Sequence, residues 1–132
     1  MHLLARAAFA LILASGGAMA DETAVATDFL QMDWRLESMD GTRPGLVVTL
    51  NLGQPDRVFG QAPCNRYSAP LATEGPAFHV GAIVATRRAC PDMALEAAFL
   101  AALQTVETAE RSAGSLWLRG GGHQLHFVQP IN

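Results

Sequence analysis

Only two cysteines occur in this chain of 132 residues, Cys64 and Cys90. What precedes them decides how they can be used. Residues 1–20 read as a secretory signal peptide. His2 and Arg6 form a short basic start, and Ala7 to Ala14 an apolar stretch too short to span a bilayer. Ser15-Gly16-Gly17-Ala18-Met19-Ala20 supplies small residues, with Ala18 and Ala20 in the Ala-x-Ala positions. The rival reading is an uncleaved anchor. Cleavage after Ala20 leaves about 112 of the 132 residues, with no cysteine near the cut to carry a lipid. The expected product is periplasmic or secreted, with no stable membrane insertion. In an oxidising compartment an even pair of cysteines is expected to form a disulfide. A reactive Cys90 thiolate beside Arg87 and Arg88 is the competing possibility.

A mature chain of this length suits one domain, small enough to gain from a crosslink. A polar leader over residues 21–28 precedes a single domain at 29–130, without repeats or linkers. The nine basic residues are all arginine and stand against twelve acids, for a net charge of −3. Scattered arginines in an acidic chain carry no footprint for nucleic acid and no polybasic face for lipid.

Most of the pattern is short strands. Trp34, Leu36 and Ser38 alternate with Asp33, Arg35 and Glu37, the period-2 sign of a half-buried strand. Asp40-Gly41 is a turn signal, and the β-branched run Leu46 to Leu52 predicts a second, buried strand. A third begins at Arg57-Val58-Phe59-Gly60. A fourth spans Tyr67 to Thr73, where Pro70 predicts an edge position or a bulge. Ala77 to Val80 is extended, and Gly81 to Ala85 reads either as strand or as loop. A hairpin of Leu116 to Arg119 and His123 to Val128 closes on Gly120-Gly121-Gly122. One segment breaks this period: Leu95, Phe99, Ala102, Leu103 and Val106 recur at helical spacing from Met93 onward. Pro91 is expected in the first turn, Cys90 near the N-cap, and Asp92 and Glu96 as complements to the helix dipole. Together these predict an α+β fold, an antiparallel, barrel-like β-sheet with one amphipathic helix packed against it.

Motifs for chemistry are sparse. His123 and His126, three apart on a strand, face opposite sides, and His79 lies on another strand, so no metal set is expected. No serine stands in a Gly-x-Ser-x-Gly elbow, and no glycine loop precedes a helix in phosphate-binding form. No cofactor and no enzymatic activity are expected.

The order of Trp34 and Leu36, Gly41, Gly60, Cys64-Asn65-Arg66-Tyr67, Thr86 with Ala89-Cys90, Glu96 with Phe99 and Leu103, and Leu116, Leu118 and Phe127 resembles the META domain. This is the domain of HslJ-like heat-shock proteins, and the likeness covers residues 29 to 128. Pro63, Ala69-Pro70-Leu71 and Arg88 depart from its usual pattern. The resemblance implies a barrel-like sheet with one helix and an envelope protein linked to stress, without established catalysis. Disulfide Cys64–Cys90 apart, Asn65, Arg66, Tyr67, Thr86, Arg87 and Arg88 suit either structural roles or a polar recognition patch. The expected function is a non-enzymatic accessory module acting on an unknown envelope protein or small ligand. A binding module for a hydrophobic ligand, lipid or peptide is the alternative.

Overall fold

A computed structural model describes residues 33–129, so the expected signal peptide over residues 1–20 and polar leader over 21–28 lie outside the described residues. Nine strands and one helix follow in the order β1 (Asp33–Met39), β2 (Thr49–Gln54), β3 (Arg57–Gln61), β4 (Arg66–Glu74), β5 (Ala77–Val80), β6 (Val84–Ala85), α1 (Met93–Thr105), β7 (Thr108–Ser112), β8 (Ser115–Gly120) and β9 (His123–Val128). Hydrogen bonding runs β3-β2-β1-β9-β8-β7-β5-β4, and β3 pairs with β4 to close the ring. The result is a closed antiparallel barrel of eight strands with one helix packed against it. β6 pairs with β4 beyond the end of β5.

Period-2 alternation fills the interior. Trp34 stands opposite Leu50, Leu36 opposite Phe127, Phe127 opposite Leu116 and Leu125 opposite Leu118. All of them are buried. Phe99, Ala102 and Leu103 add one face of α1 to the same core, and the Phe99 ring meets Tyr67 edge-on at 5.7 Å. Burying such side chains contributes about 1.5–3 kcal/mol each, before ordering costs are subtracted.

Several local expectations are revised. The register of β1 shifts between Leu36 and Ser38, so Ser38 pairs with His126 while Met39 packs on the core. A bulge inserts one residue and reverses the alternation beyond it. β2 starts at Thr49, leaving Leu46 and Val47 exposed. Pro70 lies within a strand paired on both sides. Leu71 donates its N–H to Asp56 on the β3 side, so the N–H that Pro70 lacks would point the other way. There β5 has ended and β6 has not begun, and Gly81 still donates to the Pro70 carbonyl at 2.8 Å. α1 starts at Met93, where its apolar spacing begins, but Asp92 is the N-cap, so Pro91 and Cys90 precede the helix and Pro91 is not in the first turn. β7 carries no apolar alternation to mark it in the sequence; it is held by full pairing with β8.

Candidate functional site

Two loops meet beside the N-terminal end of α1. One runs from β3 into β4 through Cys64 and Asn65, and the other from β6 to α1 through Arg88 and Cys90. The disulfide Cys64–Cys90 joins them, with Cα atoms 6.0 Å apart. No free cysteine remains among the described residues, so the reactive-thiol alternative for Cys90 does not apply.

Glu96 organises the junction. Three and seven residues before Phe99 and Leu103, it shares their buried face of α1. Its Oε1 accepts the backbone N–H of Cys64 at 2.9 Å and of Asn65 at 2.8 Å, and its Oε2 accepts Asn65 Nδ2 at 2.7 Å. Burial opposes ionisation of Glu96, but the Asn65 side chain and the two amides outweigh it. They hold the carboxyl below its ordinary value of 4.5. Glu96 does stand in the first turn, where the sequence reads it as a complement to the helix dipole; that reading lacks its burial and its role as the anion that receives the β3–β4 loop.

Asn65 uses all of its hydrogen-bonding capacity. Nδ2 also donates to the Arg88 carbonyl at 3.0 Å, and Oδ1 accepts the Arg88 N–H at 2.6 Å and the Thr86 hydroxyl at 2.8 Å. Thr86 Oγ1 in turn accepts the Arg66 N–H at 3.2 Å. Five of the six residues proposed as a recognition patch therefore gather here. Tyr67 turns inward, with its hydroxyl donating to the Thr49 carbonyl at 2.7 Å. Burial pushes its phenol well above the usual tyrosine range.

On the solvent side of this network lies an open groove of about 720 Å³, lined by Gln61, Cys64, Arg66, Thr86, Arg87 and Arg88 over Asn65. Its chemistry is that of donors. The three guanidiniums are exposed, while the one carboxylate beneath them is sealed.

Elsewhere, Ser115 Oγ lies 3.1 Å from His126 Nε2, and the imidazole stacks on Trp117 at 4.1 Å. A second histidine, His123, pairs with Asp40 at 2.7 Å. A hydrolytic serine needs its base oriented by a third group and needs oxyanion donors. Asp40 serves the other imidazole instead. Among the described residues no three His, Cys, Asp or Glu side chains gather to hold a metal ion.

A family profile for the META domain matches residues 27–131. The chain belongs to the META domain family. This META-domain chain is also similar to solved structures. An NMR structure of a protein from Burkholderia xenovorans shares 25% identity at a TM-score of 0.63, covering 98% of this chain and 100% of the other. A crystal structure of a DUF4847 family protein from Bacteroides vulgatus ATCC 8482 has a TM-score of 0.65 at 10% identity, over 82% and 99% of the two chains. The latter likeness is one of fold alone. No curated protein matches the sequence. Of the family signature, Asn65, Glu96 and Cys90 are explained by the junction, and Gly60 by closeness: a Cβ there would lie 2.2 Å from the Thr49 carbonyl oxygen.

Proposed function

We propose that this META-domain chain is an exported, non-catalytic accessory module of the cell envelope that acts under stress by binding rather than by chemistry. The observation that carries the reading is the Cys64–Cys90 disulfide, which suits an oxidising compartment and fastens the two loops bordering the groove. A ready-made polar surface on a fastened loop pair serves recognition, because little ordering is required when a partner arrives. Glu96, the one buried carboxylate at the junction, has both oxygens engaged and supports a positional role over acid–base work.

The alternative, a binder of small hydrophobic ligands, is less favoured. Trp34, Phe99 and Phe127 fill the barrel with the chain's own side chains, each fully buried.

The test is to express the full chain in a bacterium, fractionate the cells and determine the N-terminus. The expected result is a periplasmic or secreted product beginning at Asp21, with a deletion strain more sensitive to heat or antibiotic. A cytoplasmic product retaining Met1 would overturn the reading.

A further inference from the structure

The fold concentrates positive charge where the sequence scatters it. Arg66 comes from β4, and Arg87 and Arg88 from the segment after β6, yet all three line one groove of a chain whose net charge is −3. Arg43 and Arg119 are paired with Glu37 and Glu110. Arg66, Arg87 and Arg88 form no ion pair among the described residues. The acids closest in sequence to Arg87 and Arg88 are Asp92, at the start of α1, and Glu96, which is committed to Asn65; the one closest to Arg66 is Glu74, at the far end of β4.

A second, more apolar depression of about 360 Å³ adjoins the first, sharing Arg66 and Thr86 and adding Phe59, Ser68 and Val84. The register explains the continuity. Phe59 stands opposite Ser68 and Ser68 opposite Val84, so these three share a row across β3, β4 and β6 on the outer wall. Val84 is 69% exposed, an unusual place for a large apolar side chain.

The backbone of this segment is half-used as well. Thr86 donates its N–H to Arg66 of β4, and Arg88 donates to Asn65. By antiparallel alternation Ala85 and Arg87 then direct their N–H and C=O to the opposite edge. β6 is the last strand in the hydrogen-bonded order, so no strand of the described residues pairs with that edge.

We propose that the Val84–Arg88 edge, with Arg66, binds an extended acidic peptide segment of a partner protein. The proposal rests on the accessory-module reading and names the partner's chemistry. From Val84 to Arg88 the edge spans about 13 Å, enough for four or five residues at roughly 3.3 Å each. Carboxylates of such a segment meet the guanidiniums, an apolar side chain meets Val84 and Phe59, and its backbone pairs with Ala85 and Arg87. The shallow shape suits a peptide better than an acyl tail, which needs an enclosed apolar cavity.

The test is an NMR titration of the mature, disulfide-bonded chain with a short end-capped peptide in which glutamate alternates with valine. Parallel titrations use the same peptide with lysine for glutamate, inorganic phosphate, and phosphatidylglycerol vesicles. The acidic peptide is expected to shift the amides of residues 84–88 and Arg66, and added salt to weaken it. An Arg66→Glu/Arg88→Glu variant with an unchanged melting midpoint is expected to bind at least about tenfold more weakly. Absence of binding, equal binding of the lysine peptide, of phosphate or of vesicles, or shifts confined elsewhere would overturn the proposal. Complementation separates the two readings. If the charge-reversed variant restores stress tolerance in a deletion strain, the groove assignment fails and the accessory role stands. If the chain never leaves the cytoplasm, the role itself fails whatever the peptide does.

Discussion

Asn65 Nδ2 donates to Glu96 Oε2 at 2.7 Å, joining residues 31 apart in sequence across the base of the helix. The same carboxylate receives the backbone N–H of Asn65, so one helical side chain satisfies the main chain and side chain of one loop residue. The contact is buried, where an unmet donor is costly.

Removing either partner should therefore be expensive. Glu96→Ala leaves the amides of Cys64 and Asn65 without an acceptor, and about 2–3 kcal/mol of stability is expected to be lost. Asn65→Ala should cost a similar amount. In urea denaturation the double variant is expected to lose less than the sum of the singles, with a coupling of about 1 kcal/mol or more. Strict additivity would show that the pair does not act as a unit. Glu96→Gln should rescue only in part, because its amide would face Asn65 Nδ2 while Arg88 and Thr86 prevent Asn65 from turning over.

The pH dependence has a definite sign. Glu96 ionises more readily folded than its ordinary value of 4.5, so in acid the unfolded chain takes up the proton first. Its contribution is complete above that value and is lost as pH falls through the folded one. The stability gap between the native chain and Glu96→Gln should be widest at neutral pH and shrink below 4.5. A gap independent of pH would contradict the assignment of an ionised Glu96.

Reducing the disulfide should destabilise without changing the architecture. The cysteines are 26 residues apart, and the chain-entropy model puts a loop of that size at about 3.5 kcal/mol. A Cys64→Ser/Cys90→Ser chain is expected to melt lower while keeping its circular dichroism spectrum. Titration of the native chain, denatured without reductant, should find no free thiol; two thiols would refute the bond.

Two core substitutions probe the barrel and its helix. Leu103 is fully buried, and Leu103→Ala should cost about 2–5 kcal/mol. Gly60→Ala places a Cβ 2.2 Å from the Thr49 oxygen and 3.0 Å from the Tyr67 hydroxyl. It should break the hydrogen bond between them and destabilise more than Tyr67→Phe, expected at about 1 kcal/mol. An unchanged melting midpoint in either series would refute the packing described.

Most of the strands and the helix were readable because each depends on neighbours in sequence. Trp34, Leu36, Leu116 and Leu118 alternate, and Phe99, Ala102 and Leu103 recur at helical spacing, whatever they later touch. β7 was invisible because Thr108 to Ser112 is polar and earns its strand only by pairing with β8. The bulge in β1 escaped for a similar reason, since its register is set by Phe127 and His126 from the far end of the chain.

The site divides along the same line. By itself the sequence determined the two cysteines, the Asn65–Tyr67 and Thr86–Arg88 motifs and the face of the helix, all local patterns of residue type. Only the tertiary structure decided that Tyr67 leaves the surface, that Glu96 receives the Asn65 loop, and that Arg66, Arg87 and Arg88 share one groove. The reason is physical. A carboxylate on a helix face becomes an obligate hydrogen-bond acceptor only when docking removes its water, and dispersed arginines become one charged surface only when pairing of β6 with β4 lays the Thr86–Arg88 segment beside Arg66.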